Sequence, residues 1–360
     1  MTEKKESSFM EKGFNFEDDP FSSDNGEYAA LFERINSAPK DLYDKYYELF
    51  YNVYPGALCD PAVMEKYNNP ANKRNIHYGP SDAQTFDIWY PNEGKGPFPV
   101  VINLHAGGFS GGSADDFTLP PMFRACDHGY ALVSLNYRLS GEAKWPASVY
   151  DVKAAVRYLR AHAAELNIDP NKIISWGYSA GAYLSAMLAV TGDEEMFNDA
   201  ALGNMDQSSK VQAAIVGSGP CGNWADEDAY LDELSKKTGV PVLFPHNAPN
   251  SVEAFQFGQP LPRIYELLRL VDPNVWVNES CPPVLLLHGD EDPLVPFEFA
   301  VKFHEKIASK IGPDKTDLIV GPGKHHCDDP FFQDEERFEM CFAFLDKHLG
   351  KTEAEKKAAE

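Results

Sequence analysis

Short apolar runs alternate along the chain with longer stretches in which apolar residues recur every three or four positions. TFDIWY (85–90), FPVVINLH (98–105), YALVSLNY (130–137), KIISWGY (172–178), QAAIVGSG (212–219), PPVLLLHG (282–289) and TDLIVGP (316–322) read as strands. Near-continuous apolar strands separated by helices predict a parallel sheet covered on both faces. After the third run, Val149, Val152, Val156, Leu159 and Ala163 keep helical spacing and predict a helix that lays one stripe on the sheet. Near the end, Phe338, Cys341, Phe342 and Leu345 repeat the pattern and predict a closing helix. The fold class expected is doubly wound α/β.

Two regions depart from this alternation. Residues 27–54 read as two helical pieces broken near Pro39, aromatic enough that they must pack on the body. The segment from Cys221 to about 278 is rich in proline and carries Trp224, Tyr230, Phe244, Phe255 and Phe257. It is too long for a plain crossover and too aromatic for a free loop, so it reads as a lid. Residues 1–26 and 351–360 are polar, lack periodicity and read as flexible tails. The expected layout is a 27–75 helical cap segment and one α/β domain over 76–350, with the lid inserted in it.

Composition narrows the partners. With 43% hydrophobic residues in 360, the chain can bury a large core. Its 55 acidic against 32 basic residues give a net charge of −23, which repels nucleic-acid phosphates and anionic membranes. The first twenty residues hold no apolar signal core, and no later run is long enough to span a bilayer, so a cytoplasmic protein is expected. Six cysteines lie without C-x-x-C spacing, which favours reduced thiols over a disulfide framework or a zinc site.

The chemistry sits at strand ends. Ser179 stands in G-Y-S-A-G between the strand KIISW and the helical run AGAYLSAMLAV, the strand-to-helix context of a nucleophile elbow. HAGGFSGGS (105–113) ends another strand, and its glycines free backbone N–H groups to face a developing oxyanion. A serine hydroxyl needs a base, and the base needs a carboxylate to orient it. Asp290, Glu291 and Asp292 follow one strand, and His325 and His326 follow the next, giving the order Ser, Asp, His. His105 reads as a loop-fixing residue, and Arg138 and Asp151 as structural partners. His77, His128, His162 and His348 receive no role. Asp328 and Asp329 have no companion cluster at ligand spacing, so neither metal nor cofactor is expected.

Together these motifs resemble the α/β-hydrolase superfamily, and within it the bacterial carboxylesterases that include acetylxylan and feruloyl esterases, neighbours of the hormone-sensitive-lipase group. HAGGF stands where that group has H-G-G-G-[FW], NYRLSGE where it has Y-R-L-x-P-E, and WPASVYDVKAAVRYLRAHAAELNIDPNKIISWGYSAGAYL is similar to the run from P-A-x-x-x-D to the nucleophile. The resemblance covers about residues 76–349. It implies an α/β-hydrolase fold, Ser179 as nucleophile, Asp292 as the acid of H-G-x-x-D, and Gly107, Gly108 and Ala180 as oxyanion donors. Counting the residues that follow the base, it implies His326 rather than His325. The substrate implied is a small ester, short-chain or aromatic, acetylated and feruloylated sugars among them. An arylformamidase, amidase or peptidase of the same fold, or an inactive hydrolase-like binding protein, are the rival readings, and a homo-oligomer is left open. Ala106, Gly141 and Ala182–Tyr183 depart from the family pattern. Tyr178 and Tyr183, beside the elbow, are expected to wall a closed pocket that favours short acyl chains.

Overall fold

The computed structural model describes residues 59–350 and Thr352, apart from Phe117, Asp193, Val240, Pro241, Leu243, Phe244, Asn250 and residues 328–333. The helical pieces expected over 27–54 and both tails therefore lie outside the described residues, save for Thr352.

Among the described residues, eight strands form one sheet: β1 (Lys73–His77), β2 (Thr85–Trp89), β3 (Phe98–Leu104), β4 (Ala131–Leu135), β5 (Ile168–Tyr178), β6 (Ala213–Gly217), β7 (Val284–Gly289) and β8 (Thr316–Gly321). Their spatial order is β1-β2-β4-β3-β5-β6-β7-β8. β1 and β2 pair antiparallel, β2 and β4 likewise, and every pairing from β4 to β8 is parallel. The helices are α1 (Pro61–Lys66), α2 (Arg124–Asp127), α3 (Ala147–Ala161), α4 (Ala180–Thr191), α5 (Glu227–Thr238), α6 (Val252–Phe257), α7 (Tyr265–Val271), α8 (Phe297–Ile311) and α9 (Glu335–Leu349). This is an α/β-hydrolase fold.

Strand periodicity divides the core in two. Val100, Ile102, Val133, Ile173, Val216 and Leu286 face one cluster with α3, α4 and α8, whereas Val101, Leu132, Ile174, Ile215 and Leu287 face the other with α9. Side chains two apart share a face, so a central strand must be largely apolar on both faces, which is why these strands read as near-continuous runs; the polar Asn103 and Ser134 within them are paired with each other at 3.0 Å. The α3 stripe is fully buried at Val149, Val152, Val156 and Leu159. α4 is buried at all twelve of its residues, so it is a central helix with no polar face at all.

β1 was not expected from its sequence. KRNIH has no apolar run because β1 is an edge strand, half solvent-facing, anchored by Arg74 Nε on Asp87 Oδ2 at 2.6 Å and Asn75 N–H on Asp87 Oδ1 at 2.6 Å. The sheet thus begins at Lys73, inside the segment assigned to the helical cap.

The insertion after β6 carries α5, α6 and α7. Trp224 packs on Phe109 (5.9 Å), Tyr183 (5.2 Å) and Phe257 (5.8 Å), so an aromatic group joins the insertion to α4 and to the glycine loop after β3. Tyr183 is locked further: its hydroxyl donates to Val271 O at 2.9 Å and receives Trp145 Nε1 at 3.2 Å. Tyr178 does not share this side. It lies two residues after Trp176, and strand alternation turns both toward the α9 face, where Trp176 Nε1 donates to the Tyr178 hydroxyl at 3.2 Å. Tyr178 is therefore no wall of a pocket under the insertion, contrary to the expectation from its place beside the elbow.

Candidate active site

Ser179, Asp292 and His326 sit beyond the carboxyl ends of β5, β7 and β8, the edge at which open α/β sheets bind ligands. Ser179 occupies the turn between β5 and α4 with φ 53° and ψ −122°, a left-handed conformation that L-residues rarely adopt. Its N–H donates to Gly217 O at 2.8 Å and its carbonyl accepts Tyr183 N–H at 3.1 Å, so the turn is tied to β6 and to the first turn of α4. The motif glycines are there for space. A Cβ on Gly181 would stand 2.0 Å from Leu104 O, and one on Gly177 would stand 2.3 Å from Gly181 O. Only glycines let α4 start this close to β3 and aim the serine outward.

His326 Nε2 lies 2.9 Å from Ser179 Oγ, and its Nδ1 lies 2.8 Å from Asp292 Oδ2. All three residues are buried. The other Asp292 oxygen accepts the N–H groups of Leu294 and Val295, each at 2.9 Å, which leaves Oδ2 for the imidazole. Burial alone would push the Asp292 carboxyl up, but the charge of His326 and hydrogen bonds from His288 and His326 outweigh it and hold the carboxyl well below its ordinary range. Burial pushes the His326 imidazole down, and Asp292 pulls it up past its ordinary 6.5. The structure brings His326 to the serine, whereas the neighbouring His325 is half-exposed.

The glycine loop after β3 is held open by its neighbours. Tyr137 donates its hydroxyl to His105 O at 2.9 Å and stacks on the His105 ring at 4.2 Å, while His105 Nδ1 lies 2.7 Å from Ala106 O. Ser140 N–H and Oγ both donate to Phe109 O, at 2.7 and 3.0 Å. His105 is thus a loop-fixing group, and burial lowers its pKa below the ordinary value. Gly107 (φ 116°) and Gly108 (φ 57°) take backbone conformations that a side chain would strain. Among the described residues, the N–H groups of Gly107, Gly108 and Ala180 donate to no protein acceptor, which leaves them available to an incoming oxygen. Arg138 clamps Asp151 with Nη2–Oδ1 at 2.7 Å and Nε–Oδ2 at 2.9 Å, a structural pair away from the triad.

One supporting residue was not singled out from the sequence. His288 Nε2 donates to Val295 O at 3.0 Å and lies 3.3 Å from Asp292 Oδ2, bracing the acid loop from below. Its signal was present as the first letter of H-G-x-x-D. Asp290, weighed as a rival acid, instead accepts Gly323 N–H at 2.6 Å and ties the β8 turn, which carries the histidines, to the acid loop. Asp328 and Asp329 lie outside the described residues.

The geometry can transfer a proton from Ser179 Oγ to His326 Nε2 while Asp292 bears the resulting charge. The sequence model of the BD-FAE family matches residues 86–307. Esterase LipC of Mycobacterium tuberculosis is 25% identical over 275 residues, covering 75% of this chain and 62% of its own. Probable carboxylic ester hydrolase LipM of the same organism is 28% identical over 256 residues, covering 70% and 55%. This chain therefore spans less than two thirds of the length of these relatives. Among solved structures, a truncated carbohydrate esterase from gut microbiota superposes with a TM-score of 0.66 at 25% identity, covering 81% of this chain and 99% of that one. Among the described residues, no helix is long and apolar enough to cross a membrane.

Proposed function

The chain belongs to the BD-FAE family, and from that premise we propose that it is a serine carboxylesterase acting on short-chain or small aromatic esters, with acetylated or feruloylated sugars as the natural substrate class. The observation that carries this reading is the continuous hydrogen-bonded line from Ser179 Oγ through His326 to Asp292, at 2.9 and 2.8 Å. Ser179 attacks the ester carbonyl as His326 Nε2 takes its proton. The oxygen that becomes negative is received by the N–H groups of Gly107, Gly108 and Ala180. His326 returns the proton to the leaving alcohol, and water then repeats the sequence on the acyl-enzyme. The sugar ester is favoured by the likeness to a carbohydrate esterase. Short acyl groups are favoured by the insertion, whose bulky Trp224 packs directly on Phe109 of the glycine loop.

One substrate panel tests this. p-Nitrophenyl esters from acetate to decanoate, acetylated xylo-oligosaccharides, a methyl ferulate and the matching anilides are compared by kcat/KM. Acetate or butyrate is expected to exceed decanoate by at least about tenfold, as one extra methylene in a full pocket is worth roughly 1–3 kcal/mol. Faster decanoate hydrolysis would reject the short-chain assignment, and anilides cleaved as fast as esters would move the reaction class to amides.

The pH dependence follows from the Asp292–His326 pair. His326 accepts a proton only when neutral, so kcat/KM falls as pH drops through its pKa. Because Asp292 raises that pKa, the acidic limb is expected above the 6.5 of an ordinary histidine. In Asp292→Asn the carboxylate pull is gone while burial still lowers the pKa, so the limb should move to lower pH with a reduced plateau. A limb that stays in place in that variant belongs to another group.

A further inference from the structure

The insertion brings together three side chains that ester cleavage does not use. Glu227 opens α5, Glu253 lies in α6, and His246 stands on the segment between them, at 1%, 8% and 6% exposure. His246 Nδ1 lies 2.9 Å from Glu253 Oε1 and 3.4 Å from Glu227 Oε2, and one donor atom of each residue falls within 4.8 Å of the other two. Both carboxylates therefore converge on the same nitrogen. A proton there can be shared along one line only, and Glu227 Oε2, Glu253 Oε2 and His246 Nε2 have no hydrogen-bond partner among the described residues. Gln256, three positions after Glu253 and so on the same face of α6, is 2% exposed with both amide atoms also unpartnered. The neighbouring carboxylate of Asp228 is already taken by the N–H groups of His246 and Asn247, at 2.8 and 3.1 Å, and fixes the segment that presents the imidazole.

A buried site with two carboxylates, one imidazole and leftover donor atoms on every member fits a divalent cation better than a proton. Tetrahedral bonds of about 2.0–2.1 Å set neighbouring donor atoms about 3.3 Å apart, close to the observed 2.9 and 3.4 Å separations. Mixed nitrogen and oxygen donors favour a transition ion over calcium or magnesium, which take oxygen shells. We propose that Glu227, His246 and Glu253 bind a divalent transition cation, of which Zn2+ suits the donor set, and that this ion clamps α6 to α5 across the insertion. The clamp bears on the glycine loop. Val252, next to Glu253, lies over Gly108, where an added Cβ would meet Val252 Cγ1 at 3.4 Å. The spacing of 19 and 7 residues between the ligands matches no short metal motif, which is why the cluster is invisible in the sequence.

The test uses the full chain, purified without an affinity tag, stripped with EDTA and offered ZnCl2. After gel filtration the wild type is expected to retain about one Zn2+ per chain and to melt at a higher temperature than the stripped protein. Glu253→Gln and His246→Gln are expected to weaken Zn2+ binding by about 100-fold or more, with unchanged circular dichroism. Zinc K-edge absorption on the wild type should show one imidazole in a nitrogen and oxygen shell, a reading that does not depend on any variant folding. A chain that retains no zinc, variants that bind as tightly as wild type, or a shell containing thiolate or several imidazoles would overturn the proposal and leave the cluster a proton-held ion triad.

Discussion

Replacing Ser179 with alanine is expected to lower kcat by about 10^4- to 10^6-fold, or roughly 5–8 kcal/mol of barrier, with the melting temperature little changed. The backbone argument protects the fold. Alanine keeps the Cβ, so it keeps the same strained φ of 53°, and the bonds that hold the turn, Ser179 N–H to Gly217 O and Tyr183 N–H to Ser179 O, are made by the main chain. Only Oγ is lost, and with it the partner of His326 Nε2. The chemical argument is equally local. The remaining oxyanion donors and the imidazole can still activate water to a small extent, which sets a residual rate above background rather than none. A fluorophosphonate should label the wild type and leave the alanine variant unmodified. Persistent labelling, or a loss of less than about tenfold, would remove Ser179 from the reaction.

The second large effect separates neighbours in sequence. His326→Ala is expected to lose about 10^4-fold or more in kcat, and His325→Ala less than about tenfold, because only His326 stands between Ser179 and Asp292. On the acid side, Asp292→Asn should lose about 10^4-fold by presenting the wrong hydrogen-bonding face to Nδ1. Asp290→Asn should act differently, since Asp290 Oδ1 holds the Gly323 N–H at the turn before the histidines. Its loss is expected to appear as a lower melting temperature with a modest fall in kcat. Comparable kcat losses at 325 and 326, with both variants folded, would mean that the imidazole reaching the serine is not uniquely His326.

Strands β2 to β8, the α3 and α9 stripes and the elbow were legible in the sequence because each is a local pattern. A strand buried on both faces must be largely apolar, an amphipathic helix must repeat every three or four residues, and a serine presented between strand and helix must have small neighbours such as Gly177 and Gly181. The order Ser, Asp, His along the chain was readable for the same reason: each residue follows its own apolar strand. What the sequence left open were choices between adjacent residues and contacts between distant ones. Whether His325 or His326 faces the serine depends on the turn after β8, whose course is set partly by the Asp290 to Gly323 bond between two loops. β1 escaped notice because an edge strand needs no apolar run. Tyr178 and Tyr183, five residues apart, took opposite faces because one ends a strand and the other begins a helix, a difference that adjacency to the serine does not encode. The Glu227–His246–Glu253 cluster is the extreme case. Its members share no period, and only the packing of α5, α6 and the segment between them brings their carboxylates and imidazole to one point. Local patterns follow from the geometry of a single element, whereas proximity between elements is created by burying their apolar faces together, and that is decided only when the whole chain is folded.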